Sequence, residues 1–151
     1  MSELRELCQQ VILDHNKNPR NFGPLDGATA SQEGRNPLCG DHLHVHLHVD
    51  EDGTIRDIHF EGEGCAISKA SASIMTDSLK GRKRAEAEEI FDLFHAMVTA
   101  DTNAPVDNEA VGKLAVFSGV REFPMRIKCA TLAWHTMKAA LDGAPEPVST
   151  E

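Results

Sequence analysis

From residue 41 to residue 49 every second position is aliphatic: Leu43, Val45, Leu47 and Val49 alternate with His42, His44, His46 and His48. A period of two is that of a strand with one dry face and one wet face. "DEDG" (50–53) supplies a hairpin turn, and "TIRDIHFEG" returns as the next strand. "ATASQE" (28–33) reads as an edge strand.

Elsewhere the period lengthens. Leu4, Leu7, Cys8, Val11 and Ile12 share one face of a helix over 3–15, with Ser2 and Glu3 at its start and Pro19, Gly23 and Pro24 barring its continuation. Cys8 on that face reads as a small core residue. After Gly64 the spacing of Ile67, Ala70, Ile74 and Met75 predicts a helix that stops at Lys80-Gly81. Ile90, Phe91, Phe94, Met97 and Val98 make the stripe of another. A loop "TADTNAP" and a short helix over about 107–115 precede a last helix from Pro124 to Leu141, which Gly143, Pro145 and Pro147 end. The expected architecture is α+β: a small antiparallel sheet of about three strands packed against helices, one domain over 1–142, and a mobile tail over 143–151.

Composition narrows the function classes. A chain of 151 residues, 40% hydrophobic and 26% charged, suits one globular domain with its own core. It has no apolar run near the roughly 20 residues a membrane helix needs. Charges in "MSELRELCQQ" argue against a signal peptide, so a cytoplasmic, non-membrane protein is expected. A net charge of −9 opposes nucleic-acid binding, and the basic "GRKR" (81–84) is followed at once by "EAEE", as a solvated helix start would be.

Two groups of residues carry candidate chemistry. Histidines at i and i+2 on a strand share a face and can hold a metal between them, but the opposite face is wholly aliphatic. The row therefore reads first as the wet side of the strand, with His42 the hardest to dismiss because it adjoins Asp41. The second group is Cys39, Cys65 and Cys129. Cys39 sits in the Pro/Gly loop "NPLCGD", two residues before Asp41; Cys65 follows Gly62 and Gly64 in the first turn of a helix, where free N–H groups lower a thiol's pKa; Cys129 begins the last helix. Three thiolates and a carboxylate suffice for a zinc or iron site, yet spacing alone favours separate, inert thiols over a shared site. No Cys-x-x-Cys is present to favour a local zinc motif.

"VILDHNKNPRNFG" (11–23), "NPLCGD" (36–41), "GEGCAISKASAS" (62–73) and "RIKCATLAWHTMKAAL" (126–141), in that order, closely resemble the SufU branch of the IscU/NifU-N scaffold family. The resemblance implies a compact α+β fold and one Zn2+ held by Cys39, Asp41, Cys65 and Cys129. It further implies that persulfide sulfur is accepted from a PLP-dependent cysteine desulfurase of SufS type and relayed to the Suf scaffold complex for iron–sulfur cluster assembly. Lys128 stands where IscU proteins carry a histidine, "EFPMRIK" stands in place of their chaperone motif, and the segment around 81–101 is an insertion typical of SufU. These departures shift weight from cluster scaffold to sulfur shuttle. The alternatives are de novo cluster assembly, with iron or an iron–sulfur cluster at the same site, and a purely structural zinc in an adaptor of the desulfurase.

Within that resemblance Cys39 is the expected sulfur acceptor, because its loop can swing out whereas Cys65 and Cys129 are anchored on helices. The desulfurase is expected to supply a replacement ligand as Cys39 leaves, with Asp41 retained. Arg126, three positions before Cys129, is expected either to orient Asp41 or offset site charge, or to contact partner or solvent at the surface.

Overall fold

The computed structural model describes residues 2–149. Helix α1 (Ser2–Lys17) is followed by strands β1 (Ala30–Asn36), β2 (Asp41–Val49) and β3 (Ile55–Glu63), then by helices α2 (Ala66–Leu79) and α3 (Arg84–Thr99). A short helix α4 (Asn108–Val111) runs into a 3-10 helix (Gly112–Glu122), and α5 (Pro124–Asp142) precedes a two-residue strand β4 (Val148–Ser149).

The sheet order is β3-β2-β1-β4. The pairs β1/β2 and β2/β3 are antiparallel, as the hairpin turn requires, while β4 runs parallel to β1. The sheet is thus mixed and has four strands rather than about three, because β4 adds to the edge of β1 from beyond the last helix. That strand pairs only Val148 with Gly34 and Ser149 with Arg35, too short for any hydrophobic period to announce it. "ATASQE" does contribute a strand, which continues to Asn36.

Alternation along β2 works as the sequence implied. Leu43, Val45 and Leu47 are wholly buried, as are Ile58 and Phe60 of β3, and the histidines take the other face. Helices α2 and α5 cover the inner face. Gly34 marks how closely α5 approaches, since a Cβ there would lie 2.0 Å from Thr136 Oγ1. On α5 the buried Trp134 stacks against Phe91 and Phe94 of α3, with ring centroids 5.9 and 5.0 Å away. Helix α3 thereby joins the core of the sheet and the other helices.

Helix α1 departs from its expected face. Leu7 is 57% exposed and Cys8 only half-buried, while among the described side chains of the helix the buried one is His15. Leu4 falls outside the described side chains. The helix docks through its C-terminal half: His15 Nδ1 lies 2.7 Å from Ser73 Oγ of α2, which also accepts the Arg20 N–H, and Asn21 donates to Thr76. A polar clamp thus joins the C-terminal part of the expected stripe, Val11 and Ile12, which pack against the core.

Candidate metal centre

The hairpin β1–β2 builds half of the site by register. Asn36 closes β1 opposite Asp41, the first residue of β2, and residues 37–40 form the loop between them. Asp41 has the parity of Leu43 and Val45, so the alternation that buries the aliphatic row also carries this carboxylate inward, to 2% exposure. His42, one position on, faces the other way. In the loop Cys39 N–H reaches Asn36 O at 3.2 Å, and Gly40 takes φ +71, a conformation that favours glycine.

The other half comes from two helix starts. Cys65 sits just before α2, at its N-cap, and its backbone N–H donates to Asp41 Oδ1 at 2.8 Å. Gly64 makes that approach possible: a Cβ there would stand 2.7 Å from Asp41 Oδ1 and 3.1 Å from Ser68 Oγ. Cys129 lies in the second turn of α5 and is buried. Cys39, Asp41 and Cys129 each place a donor atom within 4.8 Å of the others. Cys65 joins them through its hydrogen bond with Cys129 and its N–H on Asp41.

The thiols share one proton economy. Cys65 is lowered to about 7, first by its hydrogen bond with Cys129, and further by the N–H groups of Ser68 and Ile67 at the helix start. Cys129 is pushed far up, first because its hydrogen bond with Cys65 favours the protonated thiol, then by burial and by its hydrogen-bonding contact with Cys39. Left to themselves, then, Cys65 gives up its proton well before Cys129 does. Only a cation among them would favour the fully ionised set, and three soft thiolates with one carboxylate are a donor set that suits zinc.

Asn36 was not singled out as a site residue in the sequence. It is completely buried, with Nδ2 3.4 Å from Asp41 Oδ2 and 3.6 Å from Cys129 Sγ, so it braces two candidate ligands at once. Its Oδ1, like Ser68 Oγ, has no hydrogen bond among the described residues. Its signal was its place in "NPLCGD", at the foot of the loop.

The cluster opens into a surface depression of about 540 Å³ rimmed by Gln9, Ile12, Leu13, Met125 and Arg126, with Cys39, Cys65 and Cys129 in its lining. Arg126 stacks over Phe123, 4.3 Å from its ring centroid, and makes no hydrogen bond to Asp41 among the described residues. Leu38, Leu13, Phe123 and Met125 are exposed around this mouth.

The model of the NifU-like N-terminal domain matches residues 7–142. A relative named iron–sulfur cluster assembly scaffold protein IscU, from Streptococcus pyogenes serotype M1, is 44% identical over 141 residues, which are 93% of this chain and 86% of the relative. Another, named zinc-dependent sulfurtransferase SufU, from Bacillus subtilis strain 168, is 40% identical over 91% of this chain and 90% of its own length. Among solved structures, an iron–sulfur cluster assembly scaffold protein for the SUF system from Fervidobacterium islandicum AW-1 superposes with a TM-score of 0.80 at 34% identity, covering 87% of this chain and 94% of that one.

Proposed function

This chain belongs to the family of NifU-like N-terminal domains, with relatives named iron–sulfur cluster assembly scaffold protein and zinc-dependent sulfurtransferase, and from that premise we propose that it is a zinc-dependent sulfurtransferase of SufU type. It takes sulfane sulfur from a PLP-dependent cysteine desulfurase of SufS type and passes it to the Suf scaffold complex. Residues 1–142 act as the single functional domain.

The observation that carries this reading is the contrast among the three cysteines. Cys129 is buried in α5 and Cys65, part-exposed at the depression like Cys39, is fixed at a helix start with its backbone tied to Asp41, whereas Cys39 sits on a four-residue hairpin loop. Zinc would be held by Cys39, Asp41, Cys65 and Cys129, and its chemistry there is to keep thiols ionised at neutral pH.

The transfer itself belongs to Cys39. Its thiolate attacks the terminal sulfur of the desulfurase persulfide and forms a new S–S bond. The old S–S bond breaks, and its electron pair leaves on the desulfurase cysteine as thiolate. No net oxidation occurs, and Cys39 is left as the persulfide. Asp41 and the two anchored cysteines hold the site together meanwhile. Arg126, at the rim, offsets the negative charge that gathers around the incoming persulfide.

Cys39→Ala tests this directly. Desulfurase turnover with L-cysteine should lose its stimulation by the protein; stimulation at near wild-type level would remove Cys39 from the acceptor role. Stoichiometric zinc in the protein as isolated is expected on the same reading. A cluster that forms on the protein and transfers intact to an acceptor would instead favour the scaffold function for which most of the relatives are named.

A further inference from the structure

The outer face of the sheet holds a second cluster of donors, independent of the thiolate site. Register places Glu33 of β1 directly opposite His44 of β2, with His42 diagonal to it on the same face. One carboxylate oxygen, Glu33 Oε2, lies 2.6 Å from His42 Nε2 and 3.2 Å from His44 Nε2. The three ligand atoms are all within 4.8 Å of one another. The imidazoles converge, with ring centroids 5.0 Å apart.

We propose that Glu33, His42 and His44 form a second binding site for a borderline divalent transition cation such as zinc, cobalt(II) or iron(II). Two neutral imidazoles and a carboxylate are the donors such ions prefer, and three protein ligands leave positions open to solvent. Tetrahedral ligands at zinc distances stand roughly 3.4 Å apart, so the His44–Glu33 spacing already fits and the His42–Glu33 contact need only open slightly. The cation takes the place of the direct hydrogen bond between the Glu33 carboxylate and the His42 imidazole.

Charge around the cluster favours it. Glu61 and Glu63 of β3 stand opposite His44 and His42 on the same face. Arg35, opposite His42, reaches Glu33 only at 3.8 Å and is 58% exposed, so it can yield. His46 does not belong to the site, because both its ring nitrogens are engaged, by Ser31 Oγ at 2.8 Å and Glu61 Oε1 at 2.9 Å.

The test is a cobalt(II) titration of protein loaded with one equivalent of zinc, followed by calorimetry and visible absorption. Wild-type protein should bind one further equivalent, with ligand-field bands but no thiolate-to-cobalt charge-transfer band. Glu33→Gln and His44→Gln should each lose that equivalent, and His46→Gln should keep it. These side chains are part-exposed, and retention of the first zinc reports that each variant is folded. Absence of the second equivalent in wild-type protein overturns the proposal, as does its survival in both ligand variants or its loss in His46→Gln. A protein that fails to retain the first zinc would count against the thiolate site, and the comparison among variants would still decide the second one.

Discussion

Asn36 has neither charge nor thiol, yet it touches two of the four candidate ligands. Groups that brace metal ligands commonly govern affinity by about 10- to 100-fold. Asn36→Ala should therefore weaken zinc binding within that range, measured by competition with a chelator, and should leave the four ligands themselves in place. An unchanged affinity would mean that the ligands need no brace. At this scale the sequence offered the candidate donors but not their convergence, because Cys, Asp and Gly in a Pro-marked loop are chemically conspicuous one by one. An amide is not conspicuous, and only its burial opposite Asp41 reveals it. Arg126 was legible as a neighbour of Cys129, but helical spacing could not foretell that Phe123 would hold its guanidinium.

Among the elements, the β2 alternation does two jobs from one pattern. Its inward row ends in Asp41 and its outward row begins with His42, so carboxylate and imidazole belong to different faces of one strand. The start of α2 must then come close enough for Cys65 N–H to reach that carboxylate, which only a residue without a side chain at position 64 allows. Gly64→Ala should displace Asp41 or Ser68 and cost about 1–3 kcal/mol. The expected result is substoichiometric zinc together with a lower urea midpoint; full zinc content at wild-type stability would refute the close approach. Strands and long helices were readable because their periods extend over many residues. Strand β4 was not, being two residues long, and on α1 only Val11 and Ile12 of the apolar face pack against the core, while Leu7 is exposed and the polar contact of His15 with Ser73 completes the seat.

Across the whole molecule, His15 links that docking to pH. Burial, with Arg20 nearby, holds its imidazole below the usual 6.5, against the smaller opposing pull of Asp14 and Asp77. Such a group is neutral in the fold and takes up a proton more readily when unfolded. Its contribution is therefore complete above 6.5 and is lost as the pH falls through the lower folded value. Urea midpoints of metal-free protein should fall between about pH 7 and pH 5. The fall should be shallower in His15→Gln, and identical slopes would exclude His15 as a source. Fold class was legible from the order of elements alone; the assembly of one site from a hairpin loop and two helix starts, far apart in sequence, needed either the family resemblance or the structure. No helix among the described residues is long and apolar enough to cross a membrane.

The central claim is that Cys39 receives the sulfur. Single-turnover reaction of the zinc-loaded protein with a SufS-type desulfurase and L-cysteine, followed by alkylation and peptide mass mapping, tests it most directly. The account predicts one additional sulfur on the peptide that contains Cys39, with Cys8, Cys65 and Cys129 unmodified. Sulfur on any of those three instead, or on none of the four, would contradict it.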